Sequence, residues 1–126
     1  MRVFKTKAFA RFARKEDLKD KALADVIANI ERGLVDADLG GGLVKQRVAR
    51  VGGGKRGGFR TLIAYRAGER AVFLFGFAKN DRANISPEDE RDLKDYGAML
   101  LSLKDKDIEL MTENAELREV CYDKED

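Results

Sequence analysis

Between Lys45 and Arg60 the chain places six cations in sixteen residues and no acid: Lys45, Arg47, Arg50, Lys55, Arg56 and Arg60. The ends of this run alternate like strands. Alternation puts Lys45 and Arg47 on one face, with Val44 and Val48 on the other. The middle, Val51 to Gly58, is mostly glycine, which lets a backbone turn sharply or come close to a ligand. Cations on a sheet face beside a glycine loop suit a polyanion, and nucleic acid is the commonest one. The glycines fit a plain hairpin loop equally well. They are not a nucleotide-binding P-loop, since Arg56 follows Lys55 where Ser or Thr is required.

Charge is segregated along the 126 residues. Residues 1–42 carry +2, residues 43–82 carry +8 and residues 83–126 carry −8, for a net +2. The basic middle is the expected anion-facing part. The acidic end is a solubilising back or an internal partner for the basic face. The chain has no histidine, which excludes Ser-His-Asp chemistry and most zinc sites. Acid–base work therefore falls to Lys, Arg, Tyr, Asp or Glu. Cys121, the only cysteine, has no intrachain disulfide partner and no histidine to activate it; it is expected to be an inert thiol. The carboxylates from Glu88 to Asp95 fit a solvated helix start and offer no paired-carboxylate or metal site. The first residues have no secretory signal pattern and no apolar run reaches membrane-spanning length, so a cytoplasmic protein without a membrane partner is expected.

The elements that must hold these residues follow from periodicity. Arg2 to Lys5 reads as a strand and Lys7 to Arg14 as a helix. Asp17 to Arg32 is the clearest helix, with Leu18, Ala22, Val26 and Ile30 at four-residue steps and Gly33 as its stop. Asp38 to Gly42 reads as a turn-rich connection. Leu43 to Val51, Phe59 to Arg66 and Arg70 to Ala78 read as strands, the last two joined by a tight turn at Ala67-Gly68-Glu69. In the third, Val72, Leu74, Gly76 and Ala78 are predicted to oppose Phe73, Phe75 and Phe77, so both faces are apolar and the strand is central. Arg66 and Arg70 flank the turn as solvated charges. Ser86-Pro87 starts a helix running to Leu103. Lys106 to Met111 predicts a short helix and Glu116 to Tyr122 a last strand. The chain reads as one α+β domain over residues 1–126: a small, mainly antiparallel sheet with an N-terminal helical hairpin and C-terminal helices.

The run Lys45-x-Arg47-x-x-Arg50, the segment Gly54-Lys55-Arg56-Gly57-Gly58-x-Arg60, the apolar strand Leu62 to Tyr65 and the pair Lys79-Asn80 after Phe77 together resemble the RelE/HigB branch of bacterial toxins from toxin–antitoxin pairs. The resemblance covers residues 2 to 103, and residues 104–126 extend past it. It implies a small cytosolic ribonuclease that enters the ribosomal A site and cuts the mRNA codon there. It also implies a cognate antitoxin, often of helix-turn-helix type in the HigB-like branch, and no cofactor. Cleavage without a metal needs a base for the 2′-hydroxyl, cations for the charged phosphate and an acid for the leaving 5′-oxygen. Arg60 and Arg47 are expected to clamp the scissile phosphate, while Lys55 and Lys79 compete for the base or acid role. Lys45, Arg50 and Arg56 would hold flanking phosphates, with Asn80 beside them, and Tyr65 or Phe77 would stack on a base. Two other readings stay open: a module that binds nucleic acid or an acidic partner without chemistry, and a gyrase-directed toxin on the ParE-like side of the superfamily.

Overall fold

The computed structural model describes residues 1–49, 58–79 and 84–121. Ten elements follow in chain order: β1 (Arg2–Thr6), α1 (Lys7–Lys15), α2 (Asp20–Glu31), β2 (Ala37–Gly40), β3 (Leu43–Val48), β4 (Phe59–Arg66), β5 (Arg70–Ala78), α3 (Pro87–Ser102), α4 (Asp105–Glu113) and β6 (Leu117–Glu119). The strands form one six-stranded sheet in the order β2-β3-β4-β5-β1-β6. Every neighbouring pair is antiparallel except β1 with β5. The fold is α+β, as the patterning predicted, with β5 inside the sheet and β6 at its edge.

Helices cover both faces. On one, α1 and α2 bury Phe9, Ala13, Leu23, Val26, Ile27 and Ile30 against Val44, Val48, Phe59, Ile63 and Phe73. On the other, Leu100, Leu101 and Ile108 of α3 and α4 close over Phe4, Leu43, Leu62, Ala64, Val72 and Leu74. The second helix starts at Asp20, three residues later than periodicity predicted. Asp17 takes a positive φ of 58°, which Asp tolerates better than most residues, and this breaks α1 from α2. At its other end Gly33 adopts φ +83°. Its amide donates to Ile30 and that of Leu34 to Asn29, both at 2.9 Å, satisfying carbonyls the helix leaves open.

Three expectations are corrected. The turn-rich stretch from Asp38 holds a strand, β2, whose hydrogen bonds to β3 are irregular between Asp38 and Gly40. Arg70 is not solvated: it is 9% exposed, and its guanidinium donates to the carbonyls of Leu100 (2.8 Å) and Leu103 (2.9 Å) and to Asp105 (3.1 Å). It caps α3, which has no basic residue in its last turn. The strict alternation predicted along β5 fails at a β-bulge. Leu62 pairs with Phe75 but Ile63 pairs with Phe73, leaving Leu74 as the extra residue. Beyond the bulge the pleat changes phase. Phe75 and Phe77 join Val72 and Leu74 on the α3 face, and Gly76 and Ala78 join Phe73 on the α1 face. The absent side chain of Gly76 makes room for Phe12: a Cβ there would lie 2.5 Å from the ring.

Candidate nucleic-acid interface

The cations of β3 and β4 meet across the sheet. Arg47 is directly opposite Arg60, and Arg60 is opposite Phe77 on β5. This row lies on the α3 face, because Val48 and Phe59 beside it belong to the core under α1 and α2. Two residues along, the same face carries the row Lys45, Leu62 and Phe75. Directly opposed residues have Cβ atoms about 4.5–5.5 Å apart, and like charges there are destabilising. Arg47 is exposed and Arg60 half-buried, and among the described residues neither side chain has an ion pair. The two arginines start from directly opposed backbone positions, and a guanidinium is suited to grip a phosphate through two parallel hydrogen bonds.

The backbone beneath them is pinned by polar groups that spare the guanidiniums. Asp36 accepts from the amide of Arg47 at 2.6 Å. Gln46, buried between Val44 and Val48, accepts from the Asp36 amide at 2.6 Å and donates to the Leu34 carbonyl at 3.0 Å. The Thr61 hydroxyl donates to the Gln46 carbonyl at 3.0 Å. The segment after α2, β3 and β4 are thus tied together directly behind the Arg47–Arg60 pair. Asp36, Gln46 and Thr61 were not foreseen as site residues. The available signal was a polar Gln46 in register with two valines on the buried face.

Lys79, exposed, sits at the end of β5, where its amide donates to the Gly58 carbonyl at 3.2 Å. That bond holds it next to the start of β4, two residues from Arg60. Lys45 points its ammonium at Asn84, 3.5 Å away, ahead of α3. Arg47, Arg60, Lys45 and Lys79 therefore gather at the end of the sheet remote from the β4–β5 turn. Lys55, Arg50, Arg56 and Asn80 lie outside the described residues.

The aromatic expectations change. Tyr65 is on the opposite face, packed with the α1–α2 core; burial, with Glu31 nearby, pushes its phenol above the usual range. It and Arg60 therefore face opposite sides of the sheet. Phe77 is on the cation face but only 4% exposed, a floor more than a platform. The ring that reaches solvent is Phe75, which the bulge turns to this face at 6.1 Å from Phe77. With Leu93, Asp89 and Asp92 it lines a cavity of about 310 Å³. A second cavity, of about 540 Å³, opens at the other end of the sheet around Arg66 and Arg70. There the Arg70 guanidinium is engaged by α3, so that cavity lacks a free fork.

Among the described residues no group of three or more acidic, histidine or cysteine side chains could hold a metal ion, and no helix is long and apolar enough to cross a membrane. No curated protein matches the chain. A family model described as the RelE toxin of the RelE/RelB toxin–antitoxin system matches residues 1–120. That match runs through α4 and β6, which the sequence resemblance had left aside.

Proposed function

The chain belongs to the RelE toxin family, toxins of toxin–antitoxin systems with a cognate antitoxin as partner, and on that premise we propose that it is a ribosome-dependent mRNA endonuclease. The observation that supports this is the Arg47–Arg60 couple on the open end of the sheet, which has no ion pair among the described residues. Such a couple weakens the fold and gains its value only when an anion sits between the two heads.

In this reading Arg47 and Arg60 hold the non-bridging oxygens of the scissile phosphate. A base takes the proton of the 2′-hydroxyl, the 2′-oxygen bonds to phosphorus, and the bond to the 5′-oxygen breaks. An acid returns a proton to that oxygen. Lys79 and Lys55 are the residues proposed for these two transfers, since the chain has no histidine for them and lysine is among the side chains that can carry a proton to or from a reacting group. Lys45, Arg50 and Arg56 take flanking phosphates, with Asn80 alongside. Phe75 replaces Tyr65 as the proposed base contact, with Phe77 beneath it. The work is done in the cytoplasm, where the ribosomes are, under control of an antitoxin of helix-turn-helix type.

The test is induction of the wild-type chain and of an Arg60→Ala/Lys79→Ala variant in growing bacteria, with protein synthesis and mRNA 5′-ends read together. Growth arrest with cuts inside translated codons, absent from a variant that still folds, is expected. A folded variant that keeps cutting would overturn the assignment. Soluble wild-type protein that neither arrests growth nor cuts would leave a phosphate-binding module without chemistry.

A further inference from the structure

α1 carries more cationic charge than the fold uses: only Arg14 and Lys15, in its last turn, complement the helix dipole. Its nine residues include Lys7, Arg11, Arg14 and Lys15 and no acid. All four are exposed, and among the described residues none has an ion pair. At 100° per residue they fall within about 100° of arc, while Phe9, Ala10 and Ala13 fill the side facing the sheet. Lys7–Arg11 and Arg11–Lys15 are four residues apart and Arg11–Arg14 three, spacings at which like charges destabilise a helix. Lys7 also sits in the first turn, where the helix dipole disfavours a cation. Nearby cations are handled differently: Lys5 pairs with Asp20 at 2.7 Å and Lys19 with Asp17 at 2.8 Å.

The helix is firmly mounted. Thr6 accepts from the Phe9 amide at 3.1 Å and donates to the Leu74 carbonyl of β5 at 3.2 Å. Phe9 packs on Phe73, and Phe12 packs edge-on to Phe59. From Lys7 to Lys15 the cations span about 12 Å along the axis. They lie on the side of the sheet opposite Arg47 and Arg60.

We infer that the outer face of α1 is a second phosphate-binding surface, which grips duplex RNA while the far side of the sheet handles the strand to be cut. The inference rests on the proposed function in taking structured ribosomal RNA as the natural source of that duplex. A rigid cationic row suits the regular phosphates of a helix. The stripe offers no ring on which single-stranded bases stack, because Phe9 is buried and Phe12 is turned to the core. It does not suit a lipid surface either, since the apolar side of α1 is already spent on the sheet.

The test uses the full chain with Arg60→Ala, so that no strand is cut, with and without Arg11→Gln/Arg14→Gln/Lys15→Gln. The probes are a 20-bp RNA duplex, a 20-nucleotide single strand, polyglutamate and phosphatidylserine vesicles. The triple change should weaken duplex binding at least tenfold and flatten the slope of log affinity against log salt by about 3, roughly one unit per lost phosphate contact. Single-strand binding should change less than threefold, and the melting temperature should not fall. Unchanged duplex affinity and slope would overturn the inference, as would a loss confined to vesicles or to polyglutamate. With Arg60 intact, the triple variant should raise KM on ribosomes and leave kcat in place. The duplex assay contains no ribosome and no cleavage, so its outcome stands apart from the fate of the nuclease reading.

Discussion

Replacing Arg47 with glutamine should make this protein more stable and less active at once. The change keeps a polar, hydrogen-bonding side chain, though a shorter one, and removes one of two opposed charges. Directly opposed residues have Cβ atoms about 5 Å apart; two unit charges assumed to lie roughly 7 Å apart in an effective dielectric between about 40 and 80, as befits one exposed and one half-buried group, repel by roughly 0.6–1.2 kcal/mol. Relieving it should raise the melting temperature by about 2–4 °C for a chain of this size. The gain should shrink towards zero in 1 M salt, where the Debye length is about 3 Å. If the pair clamps the scissile phosphate, cleavage on programmed ribosomes should fall by about 10²–10³-fold, the usual cost of losing a donor to developing charge. Melting of both proteins at 0.05 and 1 M salt, with single-turnover cleavage beside it, tests both halves. A variant that is destabilised at low salt, or shows the same difference at both salts, refutes the unpaired-couple reasoning. Cleavage within threefold of wild type refutes the clamp.

Arg70→Met should cost about 3–5 kcal/mol, because it strands buried carbonyls at the end of α3, while Asp105→Asn should cost under about 1 kcal/mol, since Asp105 is largely exposed; denaturant titration of both checks this. Gly76→Ala should destabilise by about 1–3 kcal/mol through collision with Phe12, and Phe12→Leu in the same chain should recover part of the loss. Glu119 is held below the usual carboxylate range by its hydrogen bonds to Arg2. Its contribution is therefore present above the unfolded value near 4.5 and fades as pH falls through the lower folded value, so Glu119→Gln should flatten the acid limb of the stability curve.

How far the sequence carried can be seen strand by strand. β4 and β5 were legible to the residue, because Ala67-Gly68-Glu69 punctuates two apolar runs. The cation face was legible too, since Arg47 and Arg60 alternate with buried neighbours. The bulge at Leu74 was not: in a run apolar at every position, periodicity carries no phase, and pairing with β4 decides which side each ring takes. That Tyr65 faces the α1–α2 core and not the cations was not legible, because a strand end shows its type and not its face. β2 hid among glycines and an Asp that spell a turn, and its strand character comes from β3 beside it. Arg70 looked like any turn-flanking charge, since its acceptors lie 30 residues or more downstream.

The first strand of this sheet has both of its neighbours late in the chain. Thr6 bonds to Leu74, 68 residues on, and Arg2 to Glu119, 117 residues on. The β2–β5 meander pairs locally, whereas β1 precedes it in the chain and β6 follows it. Closure of such long loops makes folding slow and late. Pairing inside the meander needs no distant partner, so the last step in completing this toxin's sheet is the docking of β1 between β5 and β6, two strands that come much later in the chain.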